Sequence, residues 1–178
     1  MKQVSGSNLE VLLNAETIAG RVRELAAQIS ADYRGRPLRL IGILKGAWVF
    51  LADLVRCLDI EVTVDFLSIA SYGNNSYSGG AVRITKDLDQ SIAGLDVLIV
   101  EDILDTGHTF EYLRGVLEAH QPRSLKVVTL LDKPSRRLRP VQADYVGFTI
   151  PDVFVVGYGL DYSQQYRNLP DVRIWRAT

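Results

Sequence analysis

Cysteine is almost missing from this chain. Cys57 is the only one among 178 residues, so no internal disulfide and no cysteine-based zinc site can form. A lone thiol also fits a reducing, intracellular setting. Net charge is nearly missing too: 20 basic against 21 acidic side chains leave −1. That excludes the strongly basic footprint of a dedicated nucleic-acid binder and the charge excess of a disordered acidic protein. Long apolar runs are absent. The segment M-K-Q-V-S-G-S-N-L-E at the N-terminus has no apolar stretch of signal-peptide length. The most apolar stretch, Gly46 to Leu58, is broken by Asp53 and Arg56 and is too short to cross a bilayer. There is no internal repeat and no low-complexity segment. The expectation is a cytoplasmic protein with neither a membrane nor a nucleic acid as partner.

What is present is an ordinary globular composition, 47% hydrophobic and 23% charged, in a length that suits a single domain over residues 1–178. Ile18, Val22, Leu25 and Ile29 recur at helical spacing within residues 14–33. Asn14 can cap that helix, and Gly35 and Pro37 end it. Leu38 to Leu44 reads as a buried strand, with a turn at Lys45-Gly46 and a second helix to about Leu58. Glu61 to Phe66 alternates polar and apolar, as a strand should. Ala81 to Lys86 reads as a return strand, and Asp96 to Val100 as a second buried strand. A helix over Thr109 to His120 and a third buried strand over Leu125 to Leu131 follow. Strand, helix, strand in this order makes a parallel crossover. The fold class is therefore α/β, a mainly parallel central sheet flanked by helices. Ligands of such sheets sit at the carboxyl ends of the strands, so the residues just after each strand carry the interest.

Between two strands, residues 71–80 read S-Y-G-N-N-S-Y-S-G-G, with no aliphatic side chain. A hairpin connection is the plain reading. A loop this long and glycine-rich is more often functional, for instance an active-site lid.

After the 96–100 strand comes E-D-I-L-D-T-G-H-T, residues 101–109, leading into a helix. Backbone N–H groups at a helix N-terminus bind phosphate. Gly107 lets the backbone approach closely, and Thr106 and Thr109 can donate hydroxyl hydrogen bonds. Adjacent carboxylates suit a sugar diol, or water on a bound Mg²⁺. Helix capping by Asp105 or Thr106 would explain one acid but not three, and an acidic pair next to an apolar strand is costly without a partner. The spacings of a Walker A loop and of G-x-G-x-x-G are both absent.

The run V-L-I-V-E-D-I-L-D-T-G-H-T, residues 97–109, resembles the phosphoribosyl diphosphate (PRPP) motif of the type I phosphoribosyltransferases. The acid at Asp105, three after the acidic pair, resembles the 6-oxopurine branch of that family, which salvages hypoxanthine and guanine. Three more segments match that branch in order, so the resemblance covers roughly residues 10–175. L-K-G at 44–46 resembles the pyrophosphate loop, which implies diphosphate contacts at Lys45 and Gly46 and a peptide before the lysine that can be cis. Ser71-Tyr72 resembles the pair in the flexible loop, here residues 71–82, that closes over the reaction centre. Lys133 with I-P-D-V-F-V-V-G-Y-G-L-D-Y at 150–162 resembles the base-binding side.

On that resemblance Lys133 meets the purine 6-oxo group, Phe154 stacks on the ring and Val155 binds its edge through the backbone. Asp161 is a metal-linked acid beside the base, and Arg167 binds pyrophosphate. Asp105, Thr106, Gly107, His108 and Thr109 hold the 5′-phosphate. Glu101 and Asp102 hold the ribose hydroxyls and, with Asp161, the metal. Asp105 is the general base at N7. The implied cofactor is Mg²⁺, the substrates are PRPP with hypoxanthine and/or guanine, and the assembly is a dimer or tetramer. A small hood formed by terminal segments, about 150–178, would cover the base. The residues alone read otherwise in places: Asp161 as a surface acid, Arg167 as a surface ion pair, Lys133 as a solvated lysine, Phe154 as core. Arg136, Arg137 and Arg139 read as a solvated charge run. Trp48 and the 47–58 helix suit either an interface or the core. His108 departs from the family pattern, which often has lysine, arginine or asparagine there. Two rivals stay open: a PRPP-sensing, nucleic-acid-binding regulator on the same scaffold, and an enzyme that prefers xanthine or adenine. Near-neutral charge and Asp105 disfavour the first, and Lys133 and Phe154 disfavour adenine.

Overall fold

A computed structural model describes residues 9–71 and 82–176. The order is β1 (Leu9–Leu13), α1 (Ala15–Asp32), β2 (Leu38–Leu44), α2 (Trp48–Cys57), β3 (Val62–Ser71), β4 (Val82–Lys86) and β5 (Asp96–Leu104). Then come α3 (His108–Ala119), β6 (Ser124–Asp132), a 3₁₀ turn at Pro134–Arg136, β7 (Tyr145–Thr149), β8 (Val155–Val156) and β9 (Val172–Trp175). Six strands form one sheet in the order β4-β3-β2-β5-β6-β7. All its pairs are parallel except β3 with β4. A second, antiparallel sheet joins the chain's two ends in the order β1-β9-β8.

The large sheet is apolar on both faces, and the strand alternation sorts its side chains. Leu38 and Leu40 of β2 and Leu98 and Val100 of β5 join a cluster with Ile18, Leu25 and Ile29 of α1 and Phe50 and Leu54 of α2. Ile41, Ile43, Val97 and Ile99 join the opposite cluster, with Phe110, Leu113 and Leu117 of α3. Asn14 caps α1 as expected: its side chain accepts from the Thr17 N–H at 2.8 Å. Trp48 is 49% exposed and is not core. Among the described residues, no helix is long and apolar enough to cross a membrane.

This topology locates the site. From β2 the chain runs outward to β3 and β4, then returns to place β5 on the other side of β2. The crevice at such a switch point lies at the strands' carboxyl ends. The segments after β2, β5 and β6 therefore lie side by side.

Candidate active site

The acidic pair does not lie beyond its strand. β5 continues through Leu104, pairing Glu101 with Thr129 and Leu104 with Asp132 of β6. Glu101 and Asp102 are thus held by sheet backbone rather than by a loop. Glu101 is 7% exposed. Burial first, and the Asp102 carboxylate second, push its pKa well above the ordinary glutamate range. Burial also lifts Asp102 from the usual 3.8 to about 6. The Ile103 N–H, which donates to Asp102 Oδ1 at 2.8 Å, and the Arg167 charge both oppose that rise.

Asp102 explains Gly46. A Cβ at position 46 would fall 1.6 Å from Asp102 Oδ2. The carboxylate occupies the space that any other residue's side chain would need. A Cβ on Gly159 would in turn meet the Gly46 carbonyl oxygen at 2.2 Å. Gly159 has φ +100°, a region natural to glycine. The peptide between Leu44 and Lys45 is cis.

The loop after β5 opens α3 in a way that excludes capping by Asp105 or Thr106. The residue before α3 is Gly107, at φ +89°, and no side chain caps the helix. A Cβ there would also press to 2.5 Å on Val141. The first-turn N–H groups of α3 are left for a ligand, with the positive end of the helix dipole behind them. Two carbonyls of the loop, at Asp105 and Thr106, are taken up by the segment after β6. Arg137 Nη1 donates to Asp105 O at 2.7 Å, and Leu138 N and Arg139 N donate to Thr106 O at 2.9 and 3.2 Å.

The arginine run is solvated only in part: Arg136 and Arg139 are exposed and Arg137 is half-buried, and all three hold partners. Arg137 ion-pairs with Asp132. Arg139 Nε donates to His108 Nδ1 at 3.1 Å and lies 3.3 Å from Glu111. Arg136 Nε lies 2.9 Å from Asp105 Oδ1, and its Nη1 lies 3.3 Å from Asp152. The physical reason is topological. The segment follows β6, whose end lies beside the end of β5, so the arginines fold against the loop that opens α3.

Lys133 also departs from its plain reading. It is 5% exposed, and its ammonium donates to Val153 O at 2.7 Å. Burial lowers its pKa, against the pull of Asp105 and Asp152. Phe154 is 50% exposed rather than core, while Val155 is buried in β8. Asp161 pairs with Arg167 at 2.6 Å. Arg167 also donates to Gly159 O at 2.7 Å. Lys45 Nζ donates to Gln164 Oε1 at 3.3 Å.

One open cleft of about 470 Å³ brings most of the predicted residues together. Lys45, Gly46, Asp102, Asp105, Lys133, Phe154, Val155, Asp161 and Arg167 line it, with Arg136. A cleft of this size suits a small-molecule site. Thr106, Gly107, His108 and Thr109 stand next along the chain, at the start of α3. Ser71 ends β3. Tyr72 and the rest of the expected lid, up to position 81, fall outside the described residues. Among the described residues, no three His, Cys, Asp or Glu side chains converge enough to hold a metal ion by themselves. Glu101, Asp102 and Asp161 thus form no ready-made cage. Sequence reasoning missed Arg136 and Arg137, whose signal was their position just after a strand's carboxyl end.

With this geometry in view, the comparisons with known proteins are specific. A family model described as "Phosphoribosyl transferase domain" matches residues 8–163. The chain is 48% identical over 165 residues to a hypoxanthine-guanine phosphoribosyltransferase of Bacillus subtilis, covering 93% of this chain and 92% of that one. A Staphylococcus aureus protein of the same name is 50% identical over 161 residues, covering 90% of each. A crystal structure of a hypoxanthine phosphoribosyltransferase from Staphylococcus aureus superposes with a TM-score of 0.94 at 47% identity, covering 99% of this chain and 96% of that one. One of a hypoxanthine-guanine phosphoribosyltransferase from Bacillus anthracis gives 0.92 at 45%, covering 96% and 100%.

Proposed function

The chain belongs to the phosphoribosyl transferase family, and we propose that the cleft at the β2–β5–β6 strand ends is its active site. The protein is a purine salvage enzyme. It transfers the 5-phosphoribosyl group of PRPP to hypoxanthine and/or guanine, giving IMP or GMP and pyrophosphate. The observation that carries the residue assignment is the convergence of Asp102, Asp105, Lys133, Phe154 and Arg167 in one cleft, beside an uncapped helix start.

The start of α3 anchors the 5′-phosphate through backbone N–H groups and the Thr106 and Thr109 hydroxyls. Anchoring so far from the reacting carbon fixes C1′ against the base. Glu101 and Asp102 accept hydrogen bonds from the ribose diol. As the bond from C1′ to the diphosphate oxygen breaks, positive charge grows on the ribose, and the fixed carboxylates stabilise it. Lys45, the Gly46 backbone and Arg167 receive the diphosphate. Lys133 donates to the 6-oxo group of the purine and disfavours an amino group there. Phe154 stacks on the ring and the Val155 backbone meets its edge.

Asp105 takes the proton from N7. For a purine to reach it, Arg136 must leave Oδ1. Its side chain is 44% exposed and already touches Asp152, so it has a second partner to move to.

Mg²⁺ fits the donors present. Glu101 and Asp102 are carboxylates whose ionised forms burial disfavours, and a nearby dication offsets that cost. The lack of a three-carboxylate cage among the described residues suits an ion that keeps water and takes further oxygens from substrate phosphates. Glu101 and Asp102 would hold it, with Asp161 reached through water. When bound, it supplies positive charge to the departing diphosphate. A cytoplasmic enzyme fits the single, exposed Cys57, and a dimer or tetramer completes the proposal.

The test compares turnover of hypoxanthine, guanine, xanthine and adenine with PRPP and Mg²⁺. Turnover of hypoxanthine or guanine, and none of adenine, is expected. Equal use of adenine would contradict the role given to Lys133.

A further inference from the structure

Phe154 is one of three aromatic rings in mutual contact. Phe154 lies in the loop before β8, Tyr162 in the loop after it, and Trp175 ends β9. Tyr162 and Trp175 stack on each other, with centroids 4.1 Å apart and planes 27° apart. Phe154 meets both at a steep angle. It is 5.9 Å and 88° from Tyr162, and 5.7 Å and 69° from Trp175. The backbone fastens the same contact: Trp175 N donates to Phe154 O at 2.9 Å, next to the Val155–Ile174 pair of the small sheet.

We propose that Trp175, acting with Tyr162, is a positioning residue for the purine: the stacked pair braces the Phe154 ring in the plane on which the base lies. This rests on the reading that Phe154 stacks on the base. A phenyl ring half exposed at a cleft mouth samples several orientations, and ordering it on binding costs affinity. Two steep aromatic contacts fix its plane beforehand. Neither neighbour lies parallel to Phe154, so flat stacking remains for a planar ligand. Tyr162 also follows Asp161, the partner of Arg167, which ties the bracing pair to the diphosphate side.

The experiment is steady-state kinetics of the full chain with hypoxanthine and PRPP varied separately. Trp175→Ala is expected to raise KM for hypoxanthine about 3- to 10-fold. It should leave KM for PRPP within about twofold and kcat little changed, because the lost bracing acts on base binding. Trp175→Phe should restore the KM, and Trp175→Leu, which fills space without a ring face, should not. If Trp175→Ala does not fold, the Phe and Leu variants still decide the matter. An unchanged base KM in Trp175→Ala, an equal rise in both KM values, or rescue by Leu as good as by Phe would each overturn the proposal. Phe154→Ala separates the two claims. If it leaves the base KM unchanged, the stacking reading itself fails. If it raises the base KM while the Trp175 variants do not, only the bracing fails.

Discussion

Replacing Asp102 with asparagine should make the folded protein more stable while disabling it. The ionised carboxylate is held where burial lifts its pKa from the usual 3.8 to about 6. At about 1.4 kcal/mol per pH unit, the ionised form costs at most about 3 kcal/mol relative to the unfolded chain, less to the extent that solvent in the open cleft reaches the half-buried carboxylate. The sign follows from proton binding. The folded state holds this proton more tightly, so the group favours folding at low pH. That contribution is lost as pH rises from 3.8 through about 6. Asparagine carries no charge, and its Oδ1 can still accept from the Ile103 N–H. In EDTA the variant should therefore melt like the parent near about pH 4 and well above it near about pH 8. For a chain of this size about 3 kcal/mol corresponds to about 6–12 °C in Tm, the upper bound of the expected gain. The neighbouring Glu101, itself raised, titrates with Asp102 as a pair, so the change is spread over a wider pH range than one group would give. The assay is thermal unfolding of both proteins across that range, beside turnover with PRPP and hypoxanthine. A variant less stable than the parent at about pH 8, or a gain independent of pH, would refute the claim that the pair is strained by burial.

Three further substitutions probe the cleft. Asp105→Asn should lower kcat by about 10²-fold or more with little change in KM for PRPP, since the residue acts on the proton moved in the transition state; initial rates check this, and an unchanged kcat removes its role. Lys133→Ala should raise KM for hypoxanthine and guanine while PRPP binding, followed by titration calorimetry, stays near the parent value. Gly46→Ala should abolish turnover and lower Tm, because the added Cβ would fall 1.6 Å from Asp102 Oδ2; full activity in that variant would show that the carboxylate is free to move.

The core of this account was legible in the chain because its signals are local. The runs at Leu38–Leu44 and Asp96–Val100 are short, apolar and bounded by turn residues, and Asn14 sits where a cap is needed. Legibility stopped where the ladder outran the apolar pattern. β5 continues through Glu101 to Leu104 because β6 offers it a partner, and no local preference announces a strand made of acids. The small sheet was harder still. β8 is two residues long, and β1 pairs with β9 from the far end of the chain. The arginines at 136, 137 and 139 look solvated by composition. Their partners Asp105, Glu111 and Asp152 belong to other segments that only the fold brings near, while Asp132, five residues before Arg137, is a local one. The motif residues of the cleft are legible only through the family resemblance. For Asp161 and Arg167 the residue types alone pointed to the surface, and what joins them to the cleft is the approach of Gly159 to Gly46.

The most direct measurement is product formation by the purified protein from PRPP and hypoxanthine with Mg²⁺, reading IMP and pyrophosphate together. Equal amounts of both, lost when EDTA is added and recovered with excess Mg²⁺, are what this account predicts. Binding of PRPP with no IMP formed from hypoxanthine, and no GMP from guanine, would contradict it.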